Sequence, residues 1–200
     1  MYEECFYGEF GFYGMKESLM KTIVFAFILM AVNVLFITGC ATAPRTNEGK
    51  TELSGKVRTA IDLARKEDPG LKKFFDEATG YAIFPTVGKG AIGIGGAYGK
   101  GELYEGGHLV GYCDLTQASI GFALGGQAYT ELIFFETRTA LDSFKSGNFA
   151  FAAQASAVAL KSGVSANAKY AGGVAIFTMS EAGLMYEASI GGQKFSYQAK

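Results

Sequence analysis

The sequence predicts an α+β fold, a single antiparallel β-rich domain of about eight to ten strands, barrel- or sandwich-like, with two N-terminal helices and one short inserted helix. Three observations carry this. From Tyr81 almost to the C-terminus apolar residues recur with a period of two. Ten of the 28 glycines in the 200 residues fall between Gly80 and Gly107, which marks places where backbones approach closely. Ahead of Gly80 the apolar spacing is instead three and four, the helical pattern.

Residues 1–39 are set apart from this domain. Thr22 to Ile37 is a run of sixteen residues in which only Thr22 and Asn33 are polar. It is short for a membrane span and suits the apolar region of an export signal, with Lys21 as its positive flank. Ile37-Thr38-Gly39-Cys40 closes the run, and small residues directly before a cysteine resemble the lipobox of bacterial lipoproteins. Cys40 would then carry the lipid and become the first mature residue; the competing reading is a transmembrane anchor that ends in an incidental cysteine. Glu3, Glu4, Glu9 and Glu17 suit no export signal, so Met20 is the expected start, ahead of Met15 and Met1, and Met1 to Gly14 reads as a gene-model extension. Residues 40–50 are expected to be the lipidated cysteine and a flexible polar tether, and residues 51–200 the folded domain.

From Cys40 onward the chain has sixteen basic and fifteen acidic residues, so no strong field points to nucleic acid as a partner. With Cys5 in the leader and Cys40 assigned to lipid, Cys113 stands alone and reads as a small buried side chain.

Taken in order, Thr51 to Asp68 places Leu53, Val57, Ala60, Ile61 and Ala64 on one face of a helix. Lys56, Arg58, Arg65 and Lys66 lie elsewhere around it, interrupted by Glu52, Asp62 and Glu67, which favours a helix covering the core over one lying on a membrane. Asp68-Pro69 starts a second helix, with Leu71, Phe74, Phe75 and Ala78 inward and Gly80 closing it in a left-handed conformation. Ala91 to Tyr98 and Ala118 to Gly125 each read as strands with one small face. Ala91, Gly93, Gly95 and Ala97 form it in the first, and Ser119, Gly121, Ala123 and Gly125 in the second. Gly93, Gly95, Gly121 and Gly125 are accordingly assigned a structural role, letting another layer pack close.

Gly99 to Leu103 and Glu105 to Tyr112 are expected to supply turns and a strand, and Tyr129 to Glu136 one more. Thr137 to Ser146 is the inserted helix, capped by Thr137, burying Leu141 and Phe144 and ending at Gly147. Phe149 to Leu160 fits strand or helix, and strand is the reading taken. Further strands are predicted at Ser165–Tyr170, Val174–Met179 and Leu184–Ile190, separated by Gly172-Gly173 and by Ser180–Gly183.

The chemistry-bearing patterns are thin. Gly88-Lys89-Gly90-Ala91-Ile92-Gly93 matches dinucleotide spacing, but strand alternation continues where a helix would have to begin. Gly99-Lys100 is followed by Gly101, not by Ser or Thr, so a triphosphate loop fails as well, and no nucleotide is expected. His108 and Cys113 are too few for a metal site. Glu102 and Glu105 read as a solvated edge beside a turn, in preference to a catalytic carboxylate pair. No cofactor and no enzymatic activity are expected.

Several segments, in their order, resemble the SYLF-domain family. They are Phe74-Phe75-Asp76-Glu77-Ala78, Gly80-Tyr81-Ala82-Ile83-Phe84-Pro85 and the run Gly88 to Gly101. Gly125-Gly126-Gln127-Ala128, Leu132-Ile133-Phe134-Phe135, the helix Thr137 to Ser146 and Lys169 to Gln193 follow, with Ser180-Glu181-Ala182-Gly183-Leu184 inside the last. The resemblance covers Leu53 to the C-terminus. It implies membrane binding, known as phosphoinositide binding in eukaryotic members and actin binding in fungal ones, while bacterial members are commonly exported lipoproteins. For this chain it implies bacterial phospholipid as the ligand, with the family's basic lipid-binding helix falling on Lys56, Arg58, Arg65, Lys66, Lys72 and Lys73. The expected protein is lipid-anchored in the cell envelope, at an outer membrane facing the periplasm because Ala41 is not the aspartate that commonly retains lipoproteins inside. The alternatives are a structural protein that binds an envelope partner or itself through the sheet surface, and a small outer-membrane barrel.

Overall fold

The computed structural model describes residues 43–44, 46–147, 150–151 and 158–200. The expected leader and Cys40, and most of the segment Phe149 to Leu160, lie outside the described residues. Chain contacts divide the protein into residues 1–40 and 41–200.

Helix α1 (Asn47–Glu67) begins four residues before the expected start, because Thr46 and not a later residue caps it: its Oγ1 accepts from Gly49 N at 3.1 Å. Leu53, Val57, Ala60 and Ala64 are buried, as the spacing predicts. Asp68 ends α1 and at once caps a 3-10 turn (Pro69–Leu71), accepting from Gly70 N at 3.0 Å. Helix α2 (Lys72–Glu77) follows and buries Phe74 and Phe75. Gly80 does not close this helix. The chain leaves it extended at Ala78, and Gly80 opens a strand where an added Cβ would stand 2.7 Å from the carbonyl oxygen of Tyr104. Helix α3 (Arg138–Lys145) matches expectation, capped by Thr137 Oγ1 and ended by Gly147 at φ 72°.

The sheet corrects the strand count. Among the described residues it has five strands, three of them very long: β1 (Gly80–Glu105), β2 (His108–Phe135), β3 (Ala150–Phe151), β4 (Val158–Ala159) and β5 (Val174–Ala199). The order is β1-β2-β5-β3, all antiparallel, with β4 parallel to β5. Gly99–Leu103 and Ser180–Gly183, expected as turns, continue as strand. Ser165–Tyr170, expected as strand, is not one: a 3-10 turn at Val164–Ala166 runs into its start. The β1–β2 hairpin turns at Gly106 and Gly107, whose φ values of 56° and 80° suit a tight two-residue connection. Pro85 is accommodated because β1 ends the pairing order and the ladder shifts between Phe84 and Val87. The Thr130 hydroxyl then donates to the Pro85 carbonyl at 2.7 Å.

Strand β1 doubles back on itself. An added Cβ at Gly101 would lie 2.5 Å from Ile83 O, and one at Gly99 would lie 2.8 Å from Val87 Cγ2. The bend brings the first part of the sheet (around 80–90, 125–135 and 174–182) over the second (around 96–105, 108–119 and 192–199). Between them lies a core of Phe84, Ile133, Phe135 and Ile176 from one part and Leu103, Leu115 and Phe195 from the other, closed by Leu141 and Phe144 of α3. Gly95 and Ala97 are buried. Gly93 lies on strand backbone where the ladder shifts between Ile92 and Ile94, and Gly121 lies on β2 backbone. Gly125 sits at φ 121° and is exposed.

A second core lies on the other side of the first part, under α1 and α2. Phe74 packs with Phe134 and Phe177 at ring distances of 5.5 and 5.0 Å, and Phe75 with Phe134 at 4.9 Å.

Candidate functional site

Two places offer chemistry. The first is the inner face between the two parts of the sheet. Alternation places Tyr129, Glu131, Ile133 and Phe135 of β2 on this one face, and the ladder puts Thr178 opposite Glu131 and Ser180 opposite Tyr129. The face is apolar near α3 and turns polar away from it. There Lys89, Gln117, Gln127, Tyr129, Glu131, Ala159, Thr178, Ser180 and Gln193 line a cavity of about 330 Å³. Gln117 and Gln193 pair across β2 and β5 in the second part of the sheet, so the cavity spans both layers.

Glu131 is the unusual member. It is 1% exposed, its Oε2 accepts from Gln193 Nε2 at 3.0 Å, and its Oε1 has no hydrogen-bond partner. Burial pushes its pKa up to about 7, although the Gln193 amide pulls the other way. A carboxyl kept this way is ready to receive a donor. The sequence reading passed over Glu131. The signal was present in Tyr129 to Phe135, where a single carboxylate occupies the parity of Ile133 and Phe135, but the distant partner Gln193 carries no mark in the sequence.

The second place is the basic surface of α1 and α2. Lys56 pairs with Glu52 at 2.7 Å and Lys72 with Asp76, both as exposed one-turn pairs. Arg65 lies over the Phe75 ring at 4.4 Å and Lys73 over Phe74 at 4.9 Å. Arg58 donates from Nε to Ser54 O at 3.3 Å, and Lys66 is exposed. The six are not brought into one patch: Arg58 and Arg65, seven residues apart, share a flank of α1, while Lys56 lies on its other side. The Arg58–Arg65 flank borders a stacked pair, Tyr81 and Tyr104, with centroids 5.1 Å apart and planes 13° apart. Tyr104 Oη donates to Glu102 Oε2 at 2.7 Å, and burial followed by this carboxylate raises the Tyr104 pKa far above its ordinary value.

Glu102 corrects another expectation. It is not on a solvated edge but fully buried beneath α1, accepting from Ser54 Oγ as well as Tyr104. Glu105 instead takes Lys145 at 2.5 Å and Arg138. His108 is exposed at the hairpin, and Cys113 is buried and free. Among the described residues no three His, Cys, Asp or Glu side chains gather as metal ligands, and no helix is long and apolar enough to cross a membrane.

Comparison with known proteins finds two likenesses. Residues 116–200 match the Ysc84 family, described as Las17-binding protein actin regulator. The chain is also 30% identical over 156 residues to beta cell expansion factor A of Aeromonas veronii, a match that covers 76% of this chain and 59% of that protein. The described cavity-lining residues other than Lys89 fall within the matched residues 116–200.

Proposed function

We propose, from the match of residues 116–200 to the Ysc84 family and the resemblance of the chain to the SYLF-domain family, that this protein binds or organises membrane phospholipid as a lipid-anchored protein of a bacterial envelope. The observation that carries the binding is the outward-facing set of cations on α1 and α2, where Arg58, Arg65 and Lys66 present charge while Leu53, Val57, Ala60 and Ala64 hold the helix to the core. Anchoring is assigned to Cys40, and each acyl methylene buried would add about 0.8 kcal/mol, so the anchor sets residence on the membrane and the domain sets selectivity. The outer membrane, on its periplasmic face, is the proposed location. No catalytic step is assigned.

Two measurements test this. Labelling with a clickable fatty acid in a bacterial host should tag the wild-type protein and not Cys40→Ala. Flotation of the Cys40→Ala protein with vesicles containing anionic phospholipid should exceed flotation of an unrelated domain of similar charge; equal flotation would sink phospholipid binding.

The second reading is a protein-binding role, favoured by one observation: among the described strands β1, 26 residues long, ends the pairing order. The small-residue face offers less to a partner, because Gly95 and Ala97 are already buried. Crosslinking in the envelope that captures one dominant protein, or a second copy of the chain, together with flotation at the control level, would favour this reading.

A further inference from the structure

The cavity between the two parts of the sheet has chemistry of its own, separate from the basic surface of α1. It has room for several non-hydrogen groups at about 330 Å³, and most of the described residues that line it carry uncharged hydrogen-bonding side chains: Gln117, Gln127, Tyr129, Thr178, Ser180 and Gln193. Into this wall is set one carboxyl group, Glu131, nine-tenths buried or more, with one oxygen held by Gln193 and the other without a partner. A buried carboxylate oxygen left unmatched costs free energy that a complementary donor recovers. Among the described residues lining the cavity the one cationic side chain is Lys89, four residues along the β2 ladder from Glu131 through its pairing with Gln127.

We propose that this cavity binds a small organic ammonium group, with Glu131 Oε1 as its anionic acceptor and the glutamine and hydroxyl side chains around it taking the remaining ammonium hydrogens and the ligand's polar body. One carboxylate with amides and hydroxyls is the complement of a primary ammonium, which offers three donors and needs a single balancing charge. A hard divalent cation would call for more carboxylates than the one present here. A free amine and a phospholipid head group that ends in one both carry such an ammonium. The inference stands apart from membrane binding by α1, which uses different residues and the opposite charge.

The pH dependence distinguishes this ligand from a neutral one. Glu131 titrates near pH 7, and among the described residues lining the cavity the other titratable groups are Lys89 and the Tyr129 phenol. An ammonium selects the ionised carboxylate, so its apparent affinity should rise about tenfold per pH unit below that point and level off above it. A neutral ligand that accepts a hydrogen bond from the protonated carboxyl would show the reverse slope.

The test uses the purified full chain and ethanolamine as the probe, with choline and potassium chloride as controls. Ethanolamine should raise the thermal midpoint more at about pH 8 than at about pH 6, with choline, which has no ammonium hydrogens, and potassium well behind. Glu131→Gln should remove the response. Ser180→Phe, placed at an exposed position on the cavity rim, should remove it too and covers the case in which Glu131→Gln fails to fold. Vesicles of phosphatidylethanolamine against phosphatidylcholine, each with the same anionic lipid, separate the sources: a Glu131-dependent preference for the first assigns a lipid head group, and an ethanolamine response without that preference assigns a free amine. No ethanolamine response at either pH, a response undiminished in the folded variants, or one that weakens as pH rises would overturn the proposal.

Discussion

Gln193 donates its side-chain amide to the buried carboxylate of Glu131 at 3.0 Å, joining the two layers of the doubled sheet across 62 residues of sequence. The contact makes Glu131 both a structural link and a titrating group, and its consequence for stability has a definite sign. Burial raises the folded pKa to about 7 from 4.5. Below pH 4.5 the carboxyl is protonated in both folded and unfolded chains. As pH rises through the interval up to about 7, the unfolded chain sheds the proton first. Stability should therefore fall with rising pH by about 3 kcal/mol in all, levelling off above the folded pKa. Urea unfolding from about pH 5 to pH 8 should show this slope in the wild type and a flatter one in Glu131→Gln.

Asp68 should behave in the opposite way. Burial works to raise its pKa, but hydrogen bonds from Ser165, Gly70 and Gly163 outweigh it and hold the carboxyl below its ordinary 3.8. Its contribution is present above that value and is lost as pH falls through the folded pKa. Asp68→Ala removes the cap of the 3-10 turn and leaves Ser165 N, now bonded at 2.7 Å, without its acceptor. A loss of about 2 kcal/mol is expected, read by chemical denaturation near neutral pH.

The glycines of β1 should separate into two classes. At Gly101 an added Cβ meets the Ile83 carbonyl oxygen at 2.5 Å and the Phe84 ring at 2.8 Å, and the backbone oxygen cannot swing away. Gly101→Ala should cost about 1 to 3 kcal/mol by overpacking. At Gly88 nothing stands within 4 Å, so Gly88→Ala should change stability by about 0.5 kcal/mol or less. Equal effects at the two positions would remove the case for a strand bent back on itself.

Flotation should report on Arg58 and Arg65 through charge. Each basic residue near an anionic membrane surface contributes about 1 kcal/mol at low salt, so Arg58→Gln with Arg65→Gln should weaken association by about 2 kcal/mol, and the difference should shrink as salt is raised. Arg65→Lys keeps the charge and should retain most of the binding. If Arg65→Lys loses as much as Arg65→Gln, packing over Phe75 and not charge is what matters there.

The helices were legible because their signals are local. The spacing of Leu53, Val57, Ala60 and Ala64, the caps Asp68 and Thr137, and the terminal Gly147 each act within a few residues. The period-two pattern revealed strands but not their lengths, since Gly99–Leu103 and Ser180–Gly183 have turn composition and yet are held extended by ladders to residues far away in sequence. Glu102 was misplaced for a similar reason: it neighbours a turn in sequence, while Ser54 and Tyr104 bury it in space. The cavity was the least legible feature of all, because its wall is assembled from β1, β2, β4 and β5 and no stretch of the sequence contains more than a few of its residues.

The position of β5 sets an order of events. This strand comes after all the others in the chain, yet it pairs with β2 along nearly its whole length and also carries β3 and β4. Until its residues are available, the long edge of β2 is unpaired, with Leu132, Ile133, Phe134 and Phe135 at one end of it and no partner strand on that side. Cooperative folding must therefore wait for the last segment to emerge, and because the β2–β5 contacts span so much sequence, folding should be slow compared with a helical domain of this size. In that interval the open edge is the feature most exposed to mispairing between chains.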